Sequence, residues 1–220
     1  MPVNRFLVSI DTDAPAYSHT GRIPRTARAT AIQVSSLKRA ERYFRQILVL
    51  LPNALGIARR RTFKAYDGIN NTLNLAYAVL KWKVHRAITR AKLEPYLGFL
   101  HSTATGKPSL ICDFQESYRY LVDDFVIQYC RKLGKEDFAM KSEDFSSGRK
   151  GKREYLSESR TRDLLKDLTE YFRSKVTIPR IRMGTRQEIE TLITEEASLF
   201  AMFLRDERPT WKPRVVELPD

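Results

Sequence analysis

His101, Asp113 and Glu116 have the types and spacing to hold a hard divalent cation. His101 follows Gly98-Phe99-Leu100 and precedes Asp113 by 12 residues and Glu116 by 15. One imidazole and two carboxylates are an adequate donor set for magnesium or manganese. Asp113 and Glu116, three apart in a helical pattern, share a helix face. The same Asp-Phe-Gln-Glu spacing also matches a capping box, with Asp113 as the cap and Glu116 at the third position. Spacing alone therefore leaves two readings open. Other chemistries find no residues to carry them. There is no Gly-x-x-x-x-Gly-Lys phosphate loop, Gly106-Lys107-Pro108 being too short for one, and no Gly-x-Ser-x-Gly elbow. Cys112 and Cys130 lie 18 apart with no Cys-x-x-Cys, which argues against a disulfide framework and a cysteine zinc site.

The elements that must position these residues read as helices. Leu37, Ala40, Phe44, Ile47 and Leu51 form one stripe from about Gln33, stopped at Pro52-Asn53. Arg59-Arg60-Arg61 reads as linker. Asp67 is placed to cap a long helix with the stripe Ile69, Leu73, Ala76, Tyr77, Leu80, Val84, Ile88 and Ala91, ending at Pro95. Tyr77 reads as core, and His85 as structural or solvated. After a loop over 98–112, a helix carries Phe114, Tyr118, Leu121, Val122, Phe125, Val126, Tyr129 and Leu133. Residues 141–153 read as a polar loop, either a linker or a strand of phosphate contacts. Helices over about 158–175 and 186–206 close the pattern, on Leu164, Leu165, Leu168 and Phe172 and on Ile189, Leu192, Ile193, Ala197, Phe200 and Leu204. Residues 1–31 read as an irregular arm with one strand, Phe6–Ile10. The expected fold is mainly α: a helical domain over 32–215 behind a short extended arm or small β element, with a tail at 216–220.

Charge narrows the partner. The 220 residues carry a net charge of +13, of which the first 100 contribute +12 and the last 120 only +1. A basic half of this length fits a phosphate-rich partner, nucleic acid or an anionic membrane. The apolar stripes look like core rather than a membrane face. No apolar run approaches bilayer length, and the N-terminus does not read as a signal peptide. The expectation is a soluble cytoplasmic protein.

The motifs together resemble the CRISPR-associated spacer-acquisition integrases. Tyr96-Leu97-Gly98-Phe99-Leu100-His101 is similar to that family's Gly-Phe-Leu-His motif. Gly106 through Arg119 resembles the acidic helix start that follows it. Asp67-Gly68-Ile69-Asn70-Asn71-Thr72-Leu73-Asn74-Leu75-Ala76-Tyr77 resembles its Asp-x-x-Asn-x-x-Leu-Asn-x-x-Tyr helix, and Tyr155-Leu156-Ser157 and Trp211-Lys212-Pro213 fit its C-terminal pattern less tightly. The likeness runs over roughly residues 30–215. It implies a helical catalytic integrase domain behind a small β-rich domain. With about 30 residues before the first helix, the chain looks like a compact member, as in some type V systems. The need for the family's small ferredoxin-like partner is then left open.

The resemblance also implies a divalent metal, Mg2+ or Mn2+, held by a Glu, a His and an acid. His101 matches the histidine, Glu116 the last acid and Asp113 the acid beside it, which would orient His101 or bind metal through water. The family's Glu stands seven residues before Tyr-Phe; here Ser36 stands seven before Tyr43-Phe44. Glu41, the only Glu on that helix, is the expected third ligand, about 140° further round. A two-ligand or weakened site is the alternative. The implied reaction is attack of a prespacer 3′-hydroxyl on a CRISPR repeat phosphodiester. Arg59, Arg60, Arg61, Lys81, Lys83, Arg86 and Arg90 are the expected contacts to double-stranded DNA. Arg119 contacts the scissile phosphate or pairs with a nearby acid. A homodimer or homotetramer is expected, because two joining events must be spaced along one prespacer. The competing functions are a metal-dependent nuclease of branched DNA and a catalytically inactive DNA-binding scaffold.

Overall fold

The computed structural model describes residues 41–55, 57, 59–101, 105–144, 150–178, 186–214 and 216. The arm over 1–31 with its strand, the start of the first helix with Ser36, residues 145–149 of the polar segment and the tail beyond 216 lie outside these residues. The described chain is mainly α. Residues 41–48 are helical (α1), followed by α2 (Gly68–Arg90), α3 (Ser109–Glu116), α4 (Arg119–Cys130), β1 (Phe138–Asp144), β2 (Lys150–Leu156), α5 (Glu158–Arg173), β3 (Lys175–Thr177), β4 (Arg186–Glu188) and α6 (Ile189–Leu204). Among the described residues no helix is long and apolar enough to cross a membrane.

Two compact units share the chain. One holds residues 41–79 and 122–169; the other holds 80–121 and 170–216. The boundary falls within α2, α4 and α5. Most of the expected stripe residues are buried, among them Phe44, Ile47 and Leu51, Ile69, Leu73, Leu80 and Ile88, Leu121 and Val126, and Leu164, Leu168 and Phe172, while Ala91 and Leu165 are half-buried. Leu204 departs from its stripe and is exposed.

In the first unit the asparagines of α2 organise the chain before it. Asp67 caps the helix as expected, its Oδ1 accepting from the Asn70 amide at 2.7 Å. The wholly buried Asn70 side chain donates to Asp67 Oδ2 (2.8 Å) and the Arg59 carbonyl (3.0 Å), and accepts from the Arg61 amide (2.7 Å). One turn on, Asn74 donates to the Thr62 carbonyl and accepts from Arg60 Nη2 at 2.6 Å. Residues 59–62 are therefore not a linker. They are laid along α2, because buried amide groups must find partners and the Asn side chains supply them.

Asn71 turns to β2, donating to the Glu154 carbonyl at 2.7 Å, and the Glu154 carboxylate accepts from the Gly68 amide at 2.8 Å. Gly68 has no room for a side chain: a Cβ would lie 2.1 Å from the Phe138 ring. Tyr43 of α1 and Tyr77 of α2 both donate to the buried Asp123 carboxylate of α4, Tyr43 at 2.7 Å. Tyr77 is thus core, as expected.

Two local expectations give way. The polar segment 141–153 is for the most part an antiparallel hairpin, with Lys141 opposite Arg153 and Ser142 opposite Lys152. Its strands pair through backbone bonds and a Glu143–Arg153 ion pair of 3.1 Å, so no apolar alternation marks them. The helix expected to run unbroken from Phe114 is two helices, interrupted at Ser117-Tyr118.

In the second unit, β3 and β4 pair with Val176 opposite Gln187 and lead into α6. An aromatic cluster lies behind α3. Phe114 meets Phe200 at 5.4 Å and Trp211 at 5.6 Å, and Phe200 meets Trp211 at 4.5 Å. The buried Glu196 carboxylate accepts from Trp211 Nε1 (2.6 Å) and Arg214 Nε (2.5 Å), and the Tyr120 hydroxyl bonds the Val216 backbone. These bonds tie the C-terminal segment down.

Replacing Asn70 by Ala leaves the Arg61 amide, the Arg59 carbonyl and the Arg60 guanidinium short of partners. Asn70→Ala should lower unfolding free energy by about 2–3 kcal/mol in urea titrations and speed tryptic cleavage at Arg59–Arg61. A change within about 0.5 kcal/mol would show that the ladder is ornamental.

Candidate active site

Asp113 is not a helix cap. It sits in the fifth position of α3, and the residue at that helix's N-cap is Pro108. Its fully buried carboxylate faces the loop before the helix. Oδ2 accepts the amides of Phe99 (2.6 Å) and Leu100 (3.0 Å); Oδ1 accepts the amide of His101 (3.0 Å) and stands 2.5 Å from His101 Nδ1. One carboxylate therefore closes the 98–101 loop and fixes the imidazole.

Each residue of that loop has a physical reason. A Cβ on Gly98 would lie 2.6 Å from Asp113 Oδ2, 2.7 Å from Ser109 Cβ and 2.9 Å from the Ser109 carbonyl carbon, so only glycine lets the backbone pass this close. The Phe99 ring joins the aromatic cluster, 5.5 Å from Phe200 and 5.8 Å from Trp211. The Pro95 carbonyl accepts the Leu110 amide at 3.0 Å, tying the loop's start to the first turn of α3. His101 keeps a 30% exposed side chain. With Nδ1–H facing the carboxylate, the tautomer assigned from this bond leaves the Nε2 lone pair available to a metal or a proton.

Glu116 ends α3, and its carboxylate is 46% exposed. Arg119 Nη1 donates to it at 2.7 Å. Of the two readings of Arg119, the salt bridge is present in the structure. Glu41 belongs to the other unit, is 74% exposed and pairs with Arg45, one turn on, at 3.5 Å. The cause is rotational: Phe44 and Ile47 turn inward and Tyr43 reaches Asp123, which leaves Glu41 on the outer face of α1. Among the described residues no three His, Cys, Asp or Glu side chains form a metal-holding group. His101 and Glu116 each keep a partly exposed side chain, and an imidazole and a carboxylate are donor types suited to a cation that also keeps waters and substrate phosphates.

The expected DNA contacts divide in two. Arg59 and Arg61 are exposed, lining a cleft of about 510 Å³ with Tyr66 and Met140. Lys81, Arg86 and Arg90 are exposed on α2. Two others turn inward, against expectation. The Arg60 guanidinium is bound by Asn70 and Asn74 and lies 5.3 Å from the Tyr77 ring centre and 5.7 Å from that of Phe44. Lys83, with a 10% exposed side chain, bonds Glu190 at 2.7 Å and lies over the Phe172 ring. Burial pushes the Glu190 carboxyl up, but the hydrogen bond from Lys83 and the charges of Lys83, Arg86 and Arg90 outweigh it and hold the carboxyl below its ordinary value.

The family model described as CRISPR associated protein Cas1 matches residues 19–169. A relative described as "CRISPR-associated endonuclease Cas1 1", from Thermodesulfovibrio yellowstonii, is 35% identical over 122 residues, 52% of this chain and 38% of its own. The "CRISPR-associated endonuclease Cas1 3" of Thermus thermophilus is 34% identical over 111 residues, 49% of this chain and 33% of its own. The matched stretch thus spans well under half of each relative. Among solved structures, "Casposase bound to integration product" superposes with a TM-score of 0.71 at 22% identity, over 84% of this chain and 50% of that one. A Cas1 protein from Thermotoga maritima gives 0.62 at 19% identity, over 76% and 49%. At these identities the structural likeness is one of fold.

Gly98→Ala should destabilise the chain by about 1–3 kcal/mol, since Ser109 backbone cannot yield as a flexible side chain would. An unshifted melting temperature would refute the close approach. Glu190 gives a pH dependence. Its carboxyl is lowered in the folded chain, so its ion pairs add stability above the ordinary carboxylate range, and that stability is lost as pH falls through the folded value. Glu190→Gln should therefore lower the melting temperature near pH 7, with the gap to the parent closing in acid. A gap that persists at acid pH would contradict the assignment.

Proposed function

Because the chain belongs to the CRISPR-associated Cas1 family, we propose that it is a metal-dependent DNA integrase that joins the 3′-hydroxyl of a short DNA to a phosphodiester in a CRISPR array. The observation that carries the reading is the Asp113 carboxylate, which holds His101 by both backbone and ring with Nε2 left available. A carboxylate behind a histidine is the arrangement that orients a metal-binding imidazole.

His101 Nε2 and Glu116 would hold the divalent ion. A bound magnesium or manganese supplies Lewis acidity, lowering the pKa of the attacking hydroxyl and neutralising charge on the phosphate. The chain's own residues do the rest. Asp113 prevents the ring from turning and keeps the tautomer fixed. Gly98 and Phe99 hold the loop, so the imidazole does not drift during the reaction. Arg119 holds the Glu116 carboxylate and sets its direction. Arg59, Arg61, Lys81, Arg86 and Arg90 hold the sugar–phosphate backbone, which gives affinity without sequence and weakens steeply with salt. In the reaction a new O3′–P bond forms and the P–O3′ bond of the repeat breaks. The attacking hydroxyl gives up its proton to solvent, the departing 3′-oxygen takes one up, and no covalent protein intermediate is needed.

Two copies at least would act together, one for each end of the inserted DNA. A matched structure described as "Partial Cas6-RT-Cas1--Cas2 complex" suggests Cas2 as a further partner to test. A second reading, a DNA-binding scaffold without catalysis, is favoured by one observation: Ser36 stands where the family pattern has its Glu, and Glu41 pairs with Arg45 instead.

The deciding assay is strand transfer from a labelled duplex with free 3′ ends into a supercoiled plasmid bearing a repeat, with manganese or magnesium. The parent should join label, while His101→Ala and Glu116→Ala should lose at least about 100-fold. Glu41→Ala should stay within a few-fold of the parent. A Glu41→Ala loss equal to that of His101→Ala would restore the three-ligand site. Shifted plasmid with no joined label under either metal would establish the scaffold; nicking without joining would establish the nuclease.

A further inference from the structure

Helix α2 contains no Asp or Glu in 23 residues, yet carries Lys81, Lys83, Arg86 and Arg90. A solvated helix face normally mixes signs at i, i+4, because like charges repel there. Glu190 takes up Lys83 and reaches Arg86 at 3.7 Å. Lys81 and Arg90 are exposed, and between them lies Trp82, 67% exposed, with His85 beside it at 5.8 Å between ring centres. Lys81, Trp82, His85, Arg86, Thr89 and Arg90 follow helical spacing on one side. The other tryptophan, Trp211, is 9% exposed and bonded to Glu196.

A lone exposed apolar residue needs no explanation. An indole set among cations on a helix free of carboxylates does, because the same residues are the two parts of a single-strand binding surface: a π face for a base and charges for the flanking phosphates. Duplex DNA offers this surface only phosphates, its bases being stacked. We propose that Trp82 is a stacking platform for an unpaired nucleobase, with Lys81, Arg86 and Arg90 holding the adjacent phosphates, so that this face prefers single-stranded segments of DNA over blunt duplex. The inference rests on the reading of the α2 face as a DNA contact and adds which part of the DNA it takes.

The test uses the full chain, its intrinsic fluorescence, a short oligothymidylate and a blunt duplex. Stacking on Trp82 should quench emission saturably with the oligothymidylate and only weakly with the duplex. Trp82→Ala should abolish that quenching and weaken oligothymidylate affinity roughly ten-fold while leaving duplex affinity unchanged. Trp82→Phe should recover most of the affinity, and the exposed position should leave the melting temperature of both variants near that of the parent. Binding of both DNAs without quenching, or an equal loss for both in Trp82→Ala, would overturn the platform while leaving the basic face intact. A smaller sedimenting species in Trp82→Ala with unchanged affinities would make this face an interface between copies, overturning it as well. Failure of the parent to bind either DNA would remove the underlying reading itself, an outcome visible before any variant is made.

Discussion

A single carboxylate with no solvent exposure holds the site in register. Asp113 accepts three backbone amides and faces one imidazole nitrogen, so its charge is met entirely by groups of the loop it organises. Burying an ionised group is tolerable only when hydrogen bonds replace its hydration. Here the replacement runs both ways: the loop satisfies the carboxylate, and the carboxylate supplies the partners that three consecutive loop residues could not give each other. Glycine at 98 and Phe99 in the aromatic cluster follow from the same geometry. The first allows the approach, and the second keeps the loop from lifting.

Behind α3 the cluster is closed by a C-terminal segment held through Glu196. That carboxylate meets the Trp211 indole and the Arg214 guanidinium, while Tyr120 takes both polar groups of the Val216 backbone. Polar groups buried at an aromatic core specify one arrangement because any other leaves them unpaired. The order of this segment is therefore coupled to the order of Phe114, and through it to the loop that carries His101.

The other unit uses the same economy of polar groups for backbone. Asn70, Asn71 and Asn74 on α2 bond the segment before the helix and the strand that crosses it, and Asp123 gathers two phenols from α1 and α2. This has an electrostatic consequence. Part of the basic excess is internal, since Arg60 and Lys83 serve the core, and the charge that meets solvent is narrower than the sequence total suggests. What remains outward on α2 is Lys81, Arg86 and Arg90 around Trp82.

The sequence determined the helices, the residues that line their cores and the stretch that holds the candidate donors. These depend on periodicity and on local motifs, which survive in one dimension: the α2 stripe and the Asp67 cap stand as read, and His101, Asp113 and Glu116 were all legible as candidates. The tertiary structure decided their roles. Asp113 looked like a cap because capping and metal binding use the same residue types at the same spacing; only the fold shows its oxygens turned to residues 12 to 14 positions earlier. The β1–β2 hairpin was hidden because backbone pairing and cross-strand ion pairs leave no apolar alternation to read. Glu41 was named for its residue type, but the rotation of α1 is set by what Phe44, Ile47 and Tyr43 bury, and that rotation turns Glu41 to solvent. Charge and pattern are properties of the chain, whereas direction and partnership are properties of packing, and a sequence states the first without stating the second.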